Sequence, residues 1–88
     1  MQLRMKVIHE DGSSVEATAS TLDLVRWEER SDRSIASLYE SRKLGDITWL
    51  AWQALSRKRQ TDLAYEDWLD TVRAIEIGDD DEPPPLER

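Results

Sequence analysis

The sequence predicts an α+β fold: an N-terminal β-hairpin followed by a small bundle of three or four helices. Two observations lead to this prediction. Residues 2–8 and 15–19 alternate apolar and polar side chains, which is the period of half-buried strands, and apolar residues recur at helical spacing over residues 46–59. A length of 88 residues suits one domain with a tail, and we assign residues 1–78 to that domain.

The predicted hairpin turns at residues 11–14, where an Asp-Gly pair tolerates a positive φ. Its apolar face collects alternate residues of both strands: Leu3, Met5, Val7, Val15, Ala17 and Ala19. An isolated hairpin is marginally stable in water, so this face must pack on something. We expect it to meet Leu22, Val25 and the inner side of the helix over residues 46–59.

Two short helices are predicted after the hairpin. The first runs to about residue 30 from an N-cap at Ser20 or Thr21, with charged side chains along one side. The second covers residues 34–42, and Gly45 is predicted to end it.

The helix over residues 46–59 has the strongest helical period in the chain, with Asp46 as its predicted N-cap. Its inner stripe follows the spacing i, i+3, i+4, i+7 and i+8: Ile47, Leu50, Ala51, Ala54 and Leu55. A last helix is predicted over about residues 66–77, with Gly78 directly after it.

Negative charge is concentrated in the last third of the chain. Residues 1–60 carry ten Lys/Arg and nine Asp/Glu, a balance of +1, whereas residues 61–88 carry two and ten, a balance of −8. Residues 79–88, DDDEPPPLER, lack an apolar period and are predicted to be a disordered acidic tail that contains proline. An acidic end repels nucleic acid and anionic lipid, so neither is an expected partner.

No catalytic, cofactor or metal site is predicted. His9, the single histidine, falls at a predicted exposed turn, and no nucleophile motif such as GxSxG occurs. The chain has no cysteine for a thiolate zinc site, and its three glycines lie too far apart for a phosphate-binding loop. The acidic run at residues 79–82 lacks the ligand spacing of an EF-hand. The basic run at residues 57–59 is explained by the negative end of a helix dipole better than by phosphate binding.

Three of the four tryptophans fall within residues 46–69. They form either a small aromatic core or a part-exposed surface that meets a partner. Because the inner stripe of the helix is already apolar, a small domain cannot easily surround more indoles beside it. Tryptophan is also enriched at interface hot spots. The candidate partner-binding residues are therefore Trp49, Trp52, Trp68 and Tyr65, and the core interpretation stays open for each tryptophan.

The order of motifs resembles the small tail-assembly chaperones of long-tailed bacteriophages, especially phages or prophages of actinobacteria. The motifs are DLVRWEER, DITWLAWQAL and YEDWLDTV, followed by the acidic Asp/Glu/Pro tail. The resemblance covers roughly Leu22 to Pro85 and consists of aromatic and acidic positions rather than catalytic ones.

The resemblance implies a non-enzymatic protein in the cytoplasm of the bacterial host. Such proteins bind the long tape-measure protein, keep it soluble and help tail-tube subunits assemble around it. The tape-measure protein, and with it the tail-tube protein, are therefore the expected partners, and the same apolar face would serve a homo-oligomer equally well. Two alternatives stay open: a structural subunit of the tail or head–tail junction, or a small acidic phage regulatory protein that binds a host factor.

Overall fold

The computed structural model describes residues 2–78, which form a three-stranded antiparallel sheet and four helices. The elements follow the chain as β1 (Leu3–His9), β2 (Ser14–Ala19), α1 (Thr21–Ser31), α2 (Ile35–Ser41), α3 (Leu44–Arg57), α4 (Tyr65–Leu69) and β3 (Val72–Ile77). The α+β class and the N-terminal hairpin are confirmed. The acidic tail predicted for residues 79–88 lies outside the described residues.

The hairpin pairs β1 with β2 in a regular antiparallel register, with Met5 opposite Ala17 and Val7 opposite Val15. Gly12 in its turn has a φ of 92°, a conformation that L side chains rarely adopt. The apolar face is the one predicted: Leu3, Met5, Val7, Ala17 and Ala19 are buried, and Val15 is half-buried. This face therefore forms the sheet side of the core.

The prediction of one helix over about residues 66–77 is correct only for its first turn, which belongs to α4, and is wrong beyond it, where the chain forms the strand β3. That strand pairs with the free edge of β1, which gives the sheet order β2-β1-β3. Hydrogen bonds from Glu10 N to Thr71 O and from Gly78 N to Arg4 O close the two ends of the pairing. β-Branched residues at positions 72, 75 and 77 suit a strand, and the unpaired edge of β1 supplies the partner that a local helical period cannot reveal.

The inner stripe of α3 packs against the sheet as predicted: Ile47, Leu50, Ala51, Ala54 and Leu55 are all buried. On α1, however, Leu22 and Val25 are 46% and 43% exposed, so their predicted contact with the hairpin is wrong. Leu24 and Trp27 take the inner positions instead. The inner side of this helix is therefore roughly opposite to the expected one, at about 100° per residue, and the charged residue at position 23 also faces inward.

The boundary between α2 and α3 also differs from the prediction. α2 ends because Arg42 adopts a left-handed conformation with a φ of 48°, whereas Gly45 lies in the first turn of α3. Lys43, not Asp46, occupies the N-cap position. Asp46 remains in the first turn, where negative charge is favoured, and pairs with the guanidinium of Arg33.

A buried ionic cluster joins the start of α1 to the end of α3. Asp23 is completely buried, and its two carboxylate oxygens accept hydrogen bonds from Arg57 Nε at 2.8 Å and Arg57 Nη2 at 2.9 Å. The amide of Ser20 donates to the same carboxylate at 2.9 Å, and Gln53 adds a longer bond at 3.4 Å. Burial alone would raise the pKa of Asp23, but the hydrogen bonds and charge of its partners outweigh burial and hold the pKa below its ordinary value.

Alanine substitutions of Gly12 and Gly45 should change the stability of the protein in opposite directions. Gly12→Ala places a side chain at positive φ, which we expect to cost about 1–2 kcal/mol. Gly45 has ordinary helical geometry and open space around its Cα, so Gly45→Ala should stabilise by about 0.4–1 kcal/mol. Thermal unfolding of both variants checks this, and a lower midpoint for Gly45→Ala would contradict the position of α3.

Candidate functional site

The candidate site is built on the side of α3 that faces away from the sheet. Trp49 and Trp52 lie three residues apart on this helix, with ring centroids 6.4 Å apart and planes tilted by 54°. Trp49 is only 9% exposed, and the guanidinium carbon of Arg30 lies 5.0 Å from its ring centroid. A cation over an indole face is stabilising, so Arg30 covers Trp49 rather than leaving it open to a partner.

Trp52 is half-buried and is fixed in place by the segment that precedes α4. Its indole Nε1 donates to the carbonyl oxygen of Leu63 at 2.9 Å, and its ring lies 5.6 Å from the ring of Tyr65, tilted by 60°. The hydroxyl of half-buried Tyr65 is 2.8 Å from the hydroxyl oxygen of Thr48. Both aromatic side chains are therefore ordered by polar contacts while parts of their rings stay exposed.

Trp68, on α4, is only 2% exposed and belongs to the hydrophobic core with Leu55 and the sheet. The four candidate residues are thus divided between two environments. Trp49 and Trp68 lie in the core, whereas Trp52 and Tyr65 are packed on its outer side and keep exposed surface. Sequence periodicity could not separate these environments, because it does not reveal which ring the segment before α4 covers.

Two aliphatic residues extend the exposed apolar surface and were not among the predicted ones. Leu44 is 70% exposed at the start of α3, and Leu63 is 41% exposed beside the indole of Trp52. We refer to Leu44, Trp52, Leu63 and Tyr65 as the aromatic ridge. Leu44 and Trp52 are eight residues apart, a spacing that recurs along one side of a helix, and this spacing is the signal in the sequence that could have indicated Leu44.

His9 was predicted to be an exposed turn residue, and this is wrong. It ends β1 and is half-buried, with Nδ1 3.2 Å from Thr71 Oγ1 and 3.3 Å from Thr71 O. These contacts tie the hairpin to the start of β3, which is a structural role for this side chain. Within residues 2–78, no group of three or more His, Cys, Asp or Glu side chains is placed to hold a metal ion.

One of the three basic residues at the end of α3 makes an ion pair within the fold. Arg57 is engaged by the buried carboxylate of Asp23, whereas Lys58 and Arg59 are exposed. None of the helices in the described part of the chain has the length and apolar composition needed to cross a bilayer. These observations leave the aromatic ridge as the most distinctive exposed feature of α3.

No protein-family model matches this chain, and neither the curated proteins nor the solved structures that were compared with it gave a match. The candidate site therefore rests on its own geometry.

Proposed function

We propose that this protein is a non-enzymatic tail-assembly chaperone of a long-tailed phage or prophage, which binds the tape-measure protein in the host cytoplasm and keeps it soluble. The observation that carries the proposal is the aromatic ridge, with two ordered aromatic rings between two exposed leucines. Exposed apolar surface of this kind marks protein-binding sites. The sequence resemblance supplies the class of partner.

The ridge suits a helical partner. Leu44 and Trp52 are separated by about 12 Å along α3, at about 1.5 Å per residue, which is roughly two turns of a facing helix. Amphipathic helices bind through apolar side chains repeated at this interval. A tape-measure protein is expected to be long, helical and prone to aggregation before assembly, so covering such a stripe would keep it soluble.

The negative charge near the ridge supports the solubilising part of the proposal. Asp62, Glu66 and Asp67 are exposed in the segment that carries Leu63 and Tyr65. In a complex, charges of one sign would repel other complexes and limit their association. The partner's apolar stripe would be hidden and the outer surface would stay charged.

Co-expression with the tape-measure protein of the same phage or prophage tests the proposal. We expect the soluble fraction of the tape-measure protein to rise several-fold when this chain is present, compared with an unrelated acidic domain of similar size. An unchanged soluble fraction would refute the chaperone function. Mass spectrometry of purified virions completes the test, because a stoichiometric presence of the chain would favour a structural tail subunit instead.

A further inference from the structure

A groove of about 560 Å³ lies between the hairpin turn and the segment that precedes α4. Its most buried lining residues, Leu55 and Trp68, form its floor, and the more exposed Val15 and Leu63 contribute apolar walls. Because both floor residues belong to the core, the groove is a fixed depression rather than a gap between mobile side chains. Its size and apolar lining suit one or two aliphatic side chains.

The backbone of Leu63, in the wall of the groove, is held in place by hydrogen bonds at both its carbonyl oxygen and its amide. Its carbonyl oxygen accepts from Trp52 Nε1 at 2.9 Å, and its amide donates to Thr61 Oγ1 at 3.3 Å. Leu63 therefore belongs to the aromatic ridge and to the groove at once. A bound segment that crosses the ridge reaches the groove directly over this residue.

The groove has acidic groups at its rim. Glu10 and Asp11 are exposed and line it, and none of its described lining residues is a lysine or arginine. The hydroxyl and amide of Ser13 donate to the Asp11 carboxylate and lower its pKa, so this group is negative at neutral pH. An apolar depression with two carboxylates at its edge favours a ligand that places positive charge beside an aliphatic group.

We propose that the groove binds an aliphatic side chain of an amphipathic partner helix, with a lysine or arginine of that helix lying against Glu10 and Asp11. The inference rests on the proposed function, since it assigns the chemistry of the tape-measure segment that this chain recognises. The expected ligand is a basic amphipathic segment, because the carboxylates at the rim would repel an acidic segment.

Two synthetic amphipathic peptides of about 18 residues test the proposal, with the same leucine pattern and with either lysine or glutamate flanking the leucines. Each is titrated into the full ¹⁵N-labelled chain at low salt and followed by NMR. We expect the lysine peptide to shift the Trp68 indole resonance and the amides of Glu10, Asp11 and Leu63, and to bind at least about tenfold more tightly than the glutamate peptide. Equal affinities, or shifts that avoid these residues, would overturn the proposal.

A charge-neutralised variant, Glu10→Gln with Asp11→Asn, tests whether the preference for the lysine peptide arises at the rim of the groove. Asparagine keeps an oxygen acceptor for Ser13, so the turn should be preserved. The matched control is Glu29→Gln with Glu40→Gln, two exposed carboxylates on α1 and α2. We expect the first variant to bind the lysine peptide about threefold to tenfold more weakly and the control to bind as the native chain does. An equal loss in both would show long-range attraction only and would overturn the groove assignment.

Failure of the groove assignment can be distinguished from failure of the proposed chaperone function. If the peptides behave as expected but the tape-measure protein stays insoluble, the chaperone function fails and the groove stands. If the tape-measure protein is solubilised but both peptides bind equally, only the groove assignment fails. Concentration-dependent shifts of the groove residues without peptide would identify a second copy of the chain as the occupant and would also overturn the proposal.

Discussion

Trp68→Ala should lower the free energy of unfolding by about 3–5 kcal/mol, the largest loss expected for a single aromatic residue of the candidate site. Trp68 is 2% exposed and packs in the core, so removal of its indole leaves a cavity that a five-residue helix cannot collapse to fill. Small domains have total stabilities of about 5–15 kcal/mol, so the variant should be largely unfolded at moderate denaturant concentration. Urea denaturation followed by circular dichroism measures the change.

Trp68→Phe is the control for this result, because it keeps a large apolar ring and should lose clearly less stability than the alanine variant. Trp52→Ala provides the comparison with the ridge, since Trp52 is half-buried and should also cost less. A loss for Trp68→Ala below about 1 kcal/mol would mean that Trp68 is not a core residue. The division of the tryptophans between core and ridge would then be wrong.

Asp23→Ala should destabilise the protein by about 2–4 kcal/mol. The substitution removes the acceptor for the Ser20 amide at the start of α1 and leaves the guanidinium of Arg57 without its buried partner. We place the cost below that of a fully buried pair, because the Arg57 side chain is 27% exposed and can turn towards water. Glu29→Ala, at an exposed position of the same helix, should change stability by no more than about 0.5 kcal/mol.

The contribution of Asp23 should also depend on pH, with a sign that follows from its lowered pKa. A carboxyl group whose pKa is lower in the folded protein than in the unfolded chain contributes stability above its ordinary value of 3.8 and loses it as the pH falls through the folded value. The stability difference between the native chain and Asp23→Asn should therefore be largest near neutral pH and shrink below about pH 4. A difference that grows in acid would contradict the charged state assigned to Asp23.

The hairpin and α3 were predictable because their signals are local. Two alternating runs flank an Asp-Gly pair, and five apolar residues keep one helical period. The strand β3 was not predictable in this way, because the apolar spacing after Trp68 fits a helix as well. The free edge of β1, more than 60 residues away in sequence, decides between the two. Tertiary pairing overrides a short local period.

The exposure of the individual aromatic residues could not be predicted from the sequence either. Trp49 and Trp52 both flank the inner stripe in the sequence. Only the structure distinguishes them, because Arg30 covers Trp49 and the segment at Leu63 contacts Trp52. On the inner side of α1, Asp23 pairs with Arg57, which is 34 residues away in the sequence. Long-range contacts of this kind set which apolar residues remain outside, and they leave Leu22 and Val25 exposed together with the ridge.

Whether the aromatic ridge binds the tape-measure protein is tested by the soluble fraction of that protein when it is co-expressed with two double variants of this chain. Leu44→Ser with Leu63→Ser alters the aromatic ridge, whereas Leu22→Ser with Val25→Ser removes comparable exposed apolar surface from α1. The soluble fraction is scaled to the amount of folded chain. We expect the ridge variant to lose most of the solubilisation and the α1 variant to keep it. Equal solubilisation by the two variants would contradict the assignment of the ridge as the binding surface.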